Sequence, residues 1–180
     1  SMIAAHLNIH HPEYTFAAPV ISNTGLQMLH VKEQGYFRLF PFVKGSHSKD
    51  VVTAPQQAFE AAAQFARFTK MLSAFDITKL KMTIPHFHDL SFRYQQFLDV
   101  LQKGNSERIL EAKHLIQSLK DNREIVDEYE KIKSNPFFKL RVTHHDTKIS
   151  NVLFDENDNG ICVIDLDTLM PGYFISDVGD

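Results

Sequence analysis

The segment from Thr143 to Asp180 constrains this chain most. It opens with a polar loop in which His144, Asp146, Lys148 and Asn151 keep a fixed spacing. Two β-rich stretches follow at once, Val152 to Phe154 and Ile161 to Ile164, separated by the polar run Asp155 to Gly160. Alternating apolar stretches around an Asn-Gly pair predict a hairpin with Asn159-Gly160 at its tip. The second strand ends on Asp165, so the hairpin returns a carboxylate to the neighbourhood of the loop. A purely helical fold cannot satisfy that order.

The rest of the chain reads as a hairpin followed by helices. After a short start ending at Pro12, Leu26 to Val31 and Tyr36 to Val43 predict two strands joined by a tight Lys-Glu-Gln-Gly turn. Thr53-Ala54-Pro55 offers a cap and a first-turn proline for a helix to about Leu72, with Phe59, Ala62, Ala63, Ala66 and Phe68 as its apolar face. The Ala58 to Phe68 stretch is expected to be core. Ile84-Pro85 marks a boundary, and Asp89 caps a helix carrying Leu90, Tyr94, Phe97, Leu98 and Leu101. Two further helical stretches are expected between Ser106 and Lys133, ended by Asn135-Pro136.

Bulk properties exclude several classes. A net charge of -3 and a pI near 6.3 give no electrostatic reason to expect nucleic acid or an anionic membrane as partner. No apolar run approaches the ~18–20 residues of a membrane span, and the N-terminus lacks a secretory layout. One cysteine, Cys162 in an apolar run, rules out an intramolecular disulfide and suits a reducing, cytoplasmic setting. Ser1 ahead of Met2 reads as a residue left by cloning and is set aside.

His144-x-Asp146 followed after four residues by Asn151 satisfies the catalytic-loop pattern of kinases. Phosphoryl transfer needs a carboxylate to orient the attacking hydroxyl and accept its proton, and an amide oxygen to help hold magnesium against the phosphates. Asp146 and Asn151 suit those tasks. Lys148 would place an ammonium on the transferring phosphoryl, and His144 would brace the loop. Asp165 falls where a second metal-binding carboxylate is required.

With His-His-Asp-Thr-Lys-Ile-Ser-Asn-Val-Leu-Phe-Asp, Val-Ile-Asp-Leu-Asp-Thr-Leu-Met-Pro-Gly and Ser-Asp-Val-Gly-Asp, the chain resembles the aminoglycoside and choline phosphotransferases, a kinase-like group. Within it, these motifs are most similar to bacterial N-acetylhexosamine kinases. The resemblance implies Asp146 as base, Asn151 and Asp165 as magnesium ligands, ATP as phosphoryl donor, and Asp177 as a buried aspartate bonding the loop backbone. The implied fold is α+β and protein-kinase-like. Residues 2–45 would be the end of a small β lobe, with a hairpin and a hinge in which Phe42 and Val43 face the adenine; residues 46–180 would be part of a mainly α-helical catalytic lobe. The expected function is an ATP- and Mg-dependent phosphotransferase acting on a small-molecule hydroxyl, best matched to the anomeric hydroxyl of an N-acetylhexosamine.

The departures are as informative as the matches. No Gly-rich loop and no strand lysine with its glutamate partner is recognisable, and the only lysine in the first hairpin, Lys32, falls in its turn. Both ends are therefore expected to be cut, and the surfaces so exposed to favour homo-oligomers. A second reading, a non-catalytic kinase-like binding or assembly module, follows from the same absence.

Other features carry weaker alternatives. His88, Asp89 and Arg93 at a helix start, and Asp167 beyond Asp165, are candidate sugar contacts, against ordinary cap and turn roles. Asp155 to Gly160 imitates half a calcium loop, but its twelfth position is Leu166, so a plain turn is expected. The pairs His10-His11, His86-x-His88 and His144-His145 raise a zinc site or a histidine-carboxylate metal hydrolase, without the spacing that usually accompanies either.

Overall fold

The computed structural model describes residues 1–180. The chain packs as two compact units, one formed by Ser1–Lys81 with Arg141–Asp180 and the other by Met82–Leu140. This division follows packing and cuts the chain elsewhere than the lobe boundary expected at Gly45.

The first unit begins with α1 (Met2–His10), a helix where the sequence pattern predicts no element. Ser1 caps it, its hydroxyl accepting from the Ala4 N–H, and Ile3, Ala4 and Leu7 bury one side. A single helical turn of apolar residues is a weak signal, and the partner surface decides it. The first hairpin is present but short: β1 (Leu29–Val31) pairs antiparallel with β2 (Gly35–Phe37). Glu33 and Gly35 take positive φ at the turn. Residues 38–43 continue without a ladder, because Pro41 has no N–H to offer; Val20 N–H donates to Leu39 O and Ser46 N–H to Val43 O.

Helix α2 (Pro55–Met71) spans the expected residues but turns a different face inward. Gln57, Ala61, Gln64, Phe68 and Met71 are buried at three- and four-residue spacing, whereas Phe59 is 65% exposed and Ala62 and Ala66 are exposed. Two glutamines displace the expected apolar face because they serve the second hairpin. Gln57 Nε2 donates to Asp158 at 2.8 Å, and Gln64 Nε2 to Gly160 O at 2.6 Å, while Glu60 accepts from Gly160 N–H. A Cβ on Gly160 would meet Gln64 Cγ at 2.5 Å, so glycine is what lets helix and strand approach.

That hairpin joins β4 (Val152–Phe154) to β5 (Gly160–Val163), with an irregularity at Leu153/Phe154. Its tip is not the expected Asn-Gly: Asp158 takes the left-handed conformation and Gly160 already belongs to the strand. β3 (Arg141–Thr143) pairs antiparallel with β6 (Met170–Gly172), and α7 (Ile175–Gly179) closes the unit. The main core gathers Ile3, Leu7, Tyr14, Phe68, Met71, Leu72, Phe75, Val142, Cys162 and Val163. Burial pushes the Cys162 thiol up to about 11, so it behaves as an inert apolar group.

The second unit is helical and contains no buried residue. Asp89 caps α3 (Leu90–Lys103), which packs against α6 (Glu124–Ser134). Between them the first of the two expected stretches breaks at Ala112 into α4 (Ser106–Glu111) and α5 (Lys113–Asp121). No helix of the protein is long and apolar enough to cross a membrane.

Residues on one helix should therefore respond unequally to truncation. Phe68→Ala should cost about 3–5 kcal/mol, the range for emptying a buried aromatic site, and Phe59→Ala no more than about 0.5 kcal/mol. Urea unfolding of both variants measures the difference.

Candidate active site

The loop after β3 is held from three directions. Asp177, half-buried in α7, accepts the His144 and His145 N–H groups at 2.9 and 2.8 Å. These are the backbone bonds implied for this aspartate, made by a side chain that is less buried than expected. Its own carbonyl accepts from the Thr147 hydroxyl at 2.8 Å. A carboxylate suits the task because both loop amides point the same way and each needs an acceptor.

His144 is 2% exposed and joins the loop to the residue that follows β5. Its Nδ1 accepts from Asp146 N–H at 3.2 Å, which leaves Nε2 as the protonated nitrogen, donating to Ile164 O at 3.1 Å. The Ile164 N–H in turn donates to Asn151 O at 2.9 Å. The residue before Asp165 is thus tied at both its backbone groups to the loop that carries Asp146 and Asn151. His145 has a φ of 66° and packs on Gly172, where a Cβ would come within 2.4 Å of its ring.

Asp146 and Asn151 form one constellation. Asn151 Nδ2 donates to Asp146 Oδ2 at 2.8 Å and to Asp146 O at 2.9 Å, and Lys148 Nζ lies 2.8 Å from the same Oδ2. Burial raises the Asp146 pKa, but the hydrogen bonds from Lys148 and Asn151, with the ammonium charge, outweigh it and hold the carboxyl below its ordinary value. Lys148 is raised, chiefly by its hydrogen bond to Asp146, and the Asp165 carboxylate adds to the field it feels.

Because Asn151 uses both N–H groups on Asp146, its Oδ1 is the atom left for a ligand. Asp165, exposed, supplies a second oxygen donor. Two hard oxygen ligands fit magnesium, which keeps several waters and takes phosphate oxygens for the remainder of its shell. No three His, Cys, Asp or Glu side chains converge as a site for a more demanding metal. The paired histidines are engaged elsewhere: the ring centroids of His6 and His10 lie 4.7 Å apart, and His86 Nδ1 lies 3.1 Å from Asp89. The calcium-like run is a turn whose carboxylates are already engaged, Asp155 within it by Asn157 and Asn159, and Asp158 from outside by Lys49, His47 and Gln57.

A cavity of about 700 Å³ adjoins Asp165. Phe40, Phe42, Val43, Leu153 and Ile164 give it an apolar wall, and Arg38, Asp165 and Asp167 a charged end. Phe42 and Val43 therefore both line it, Phe42 largely exposed and Val43 packed against the core. Sequence reasoning missed Arg38, although a lone guanidinium in the stretch Phe37 to Val43 was a signal. It also missed Thr168, whose hydroxyl donates to His144 O, and Tyr14, whose hydroxyl accepts from Val163 N–H; nothing in the sequence marks either.

His88, Asp89 and Arg93 belong to the second unit. There Asp89 accepts the Phe92 N–H as helix cap, and Arg93 donates to Phe87 O and Gln96.

Comparison with known proteins places the fold. The family profile described as APH, phosphotransferase enzyme family, matches residues 3–180. The chain belongs to that family, and its fold is kinase-like and α+β. It is similar to the spectinomycin phosphotransferase APH(9)-Ia solved with ADP and spectinomycin, at 15% identity and a TM-score of 0.63 over 98% of this chain and 55% of that one. An aminoglycoside phosphotransferase from Alicyclobacillus acidocaldarius gives the same four values. The amicoumacin kinase hAmiN, solved with AMP-PNP, Ca2+ and amicoumacin, matches at 18% identity and a TM-score of 0.53, over 98% of this chain and 49% of that one. The chain thus spans about half the length of the solved structures it matches.

Two substitutions probe the loop. Asp177→Asn removes a charged acceptor from one of two amides and should cost about 1.5–3 kcal/mol in chemical denaturation. Lys148→Met should bring the Asp146 pKa back up toward its ordinary value of 3.8, read by NMR titration of the carboxyl carbon. Because the folded pKa is depressed, the stabilisation from Asp146 is present above that ordinary value and is lost as the pH falls through the folded one.

Proposed function

We propose that this chain carries the catalytic half of an ATP- and Mg-dependent small-molecule kinase. The observation that carries the reading is the constellation in which Asp146 Oδ2 is engaged by both Asn151 and Lys148, leaving Oδ1 for an acceptor hydroxyl. In the proposed architecture residues 2–45 end the small lobe, residues 46–180 belong to the catalytic lobe, and Phe42 and Val43 border the adenine in the apolar cavity. Nucleotide binding is supported by that cavity's size and polarity, which suit a flat apolar base with a charged tail. It is supported also by structural relatives solved with ADP, AMP and AMP-PNP.

In the reaction, the acceptor hydroxyl lies against Asp146 Oδ1. Its oxygen forms the new bond to the γ-phosphorus as the bond to the β-bridging oxygen breaks, and its proton passes to Asp146. Lys148, with its side chain 55% exposed and three donors, follows the transferring phosphoryl while keeping contact with the base. Asn151 Oδ1 and Asp165 would hold a magnesium ion, which would supply charge neutralisation for the phosphates. His144 and Asp177 keep the loop in place and touch no reactant.

For the acceptor, the motif resemblance to N-acetylhexosamine kinases supports a sugar hydroxyl, and Asp167, His88, Asp89 and Arg93 are the residues proposed to contact it. The structural relatives named for spectinomycin and amicoumacin support the broader class of small hydroxylated acceptors. A cytoplasmic setting is supported by the single, buried Cys162.

Calorimetry of ATP binding with and without magnesium tests the site directly. Magnesium should strengthen binding, and Asp165→Ala should abolish that strengthening; ATP affinity indifferent to magnesium in the unmodified protein would overturn the reading. Where turnover is measured on a panel of amino sugars, Asp146→Asn should lower it by about two to four orders of magnitude.

A further inference from the structure

Asp165 sits at φ 57° and ψ 67°, in the left-handed region. A residue with a side chain stays there when its surroundings hold it. Beyond it the chain makes a tight 3-10 turn, Leu166–Thr168, closed by Leu169 N–H donating to Leu166 O at 3.2 Å. Two side chains of this turn tie it down. Thr168 Oγ1 donates to His144 O at 2.6 Å, fastening one side to the catalytic loop. Asp167 accepts from Arg38 Nη2, fastening the other side to the segment that follows β2.

The second tie joins parts of the chain 129 residues apart, and both partners line the large cavity together with Asp165. Arg38 lies with its guanidinium carbon 5.5 Å from the Phe40 ring centroid, against the apolar wall. Asp165 and Asp167 are exposed carboxylates two residues apart. A guanidinium on Asp167 removes their mutual repulsion and leaves Asp165 as the carboxylate free to meet a cation. The hydrogen bond to Asp167, more than any other influence, raises the Arg38 pKa, so the cation persists at any working pH.

We propose that Arg38 is a positioning residue: by holding Asp167 it fixes the Leu166–Thr168 turn, and so aims the Asp165 carboxylate into the cavity. The consequence for magnesium and nucleotide rests on the kinase reading above; the mechanical tie does not. Asp167 accordingly serves Asp165 from behind, which competes with its role as a sugar contact. Arginine is suited to this because its planar fork can bond a carboxylate while its face packs along an aromatic wall.

The test uses the full chain labelled with nitrogen-15. In Arg38→Gln and in Asp167→Asn, hydrogen exchange of the Leu169 amide should accelerate about two- to fivefold, the range a partly exposed ion pair supports. The Cys162 amide in β5 should exchange as before, and the charge-exchanged pair Arg38→Asp with Asp167→Arg should recover most of the Leu169 protection. In parallel, Arg38→Gln should reduce the gain in ATP affinity that magnesium brings, by about the same factor. Unchanged Leu169 exchange in Arg38→Gln overturns the positioning role whether or not nucleotide binds. Faster exchange with an unchanged magnesium-dependent gain in ATP affinity overturns the link to Asp165. Faster exchange in a protein whose ATP binding ignores magnesium supports the tie and defeats the kinase reading instead.

Discussion

The buried imidazole of His144 is the joint on which the rest of the site depends. One nitrogen accepts from the Asp146 amide and the other donates to the carbonyl of Ile164, the residue immediately before Asp165. A buried ring with both nitrogens satisfied is a rigid spacer, since turning it would leave two polar groups unpaired. The carboxylate proposed as base and the carboxylate proposed as metal ligand are set against one another through this side chain. Asp177 then secures the backbone on the far side of the same loop.

The remainder of the first unit supports that joint. Helix α2 grips the β4–β5 hairpin with Gln57, Glu60 and Gln64, and Tyr14 satisfies the Val163 amide two residues before Asp165. Polar side chains rather than apolar ones hold the hairpin tip because its backbone N–H and C=O groups need partners there. Desolvation pushes the Tyr14 phenol up to about 12, so it stays a neutral hydroxyl at this contact. The loop that carries Asp146 is thus built on an element that is itself pinned at the tip, in the middle and at the end.

Electrostatics divide the four acidic groups of the site by partner. Asp177 faces backbone amides, Asp146 an ammonium and an amide side chain, and Asp167 a guanidinium, while Asp165 is the one directed at the cavity without a cationic side chain upon it. Carboxylates so close together are tolerable because three of them have their charge answered locally. The fourth is where added positive charge gains most.

The sequence by itself determined the spacing of His144, Asp146, Lys148 and Asn151, the hairpin that follows, the extent of α2 and the capping of α3 by Asp89. Those are local matters, decided by turn chemistry, caps and side-chain periodicity within a few residues. It did not determine the buried face of α2, the helix at Met2–His10, the break at Ala112 or the short reach of β1 and β2, because each depends on what lies across a contact. Arg38 on Asp167 and Tyr14 on Val163 join residues more than a hundred positions apart, and no local pattern records such a meeting. Only the tertiary structure decided them, since an ion pair or a buried hydrogen bond has meaning only once both partners share a place in space.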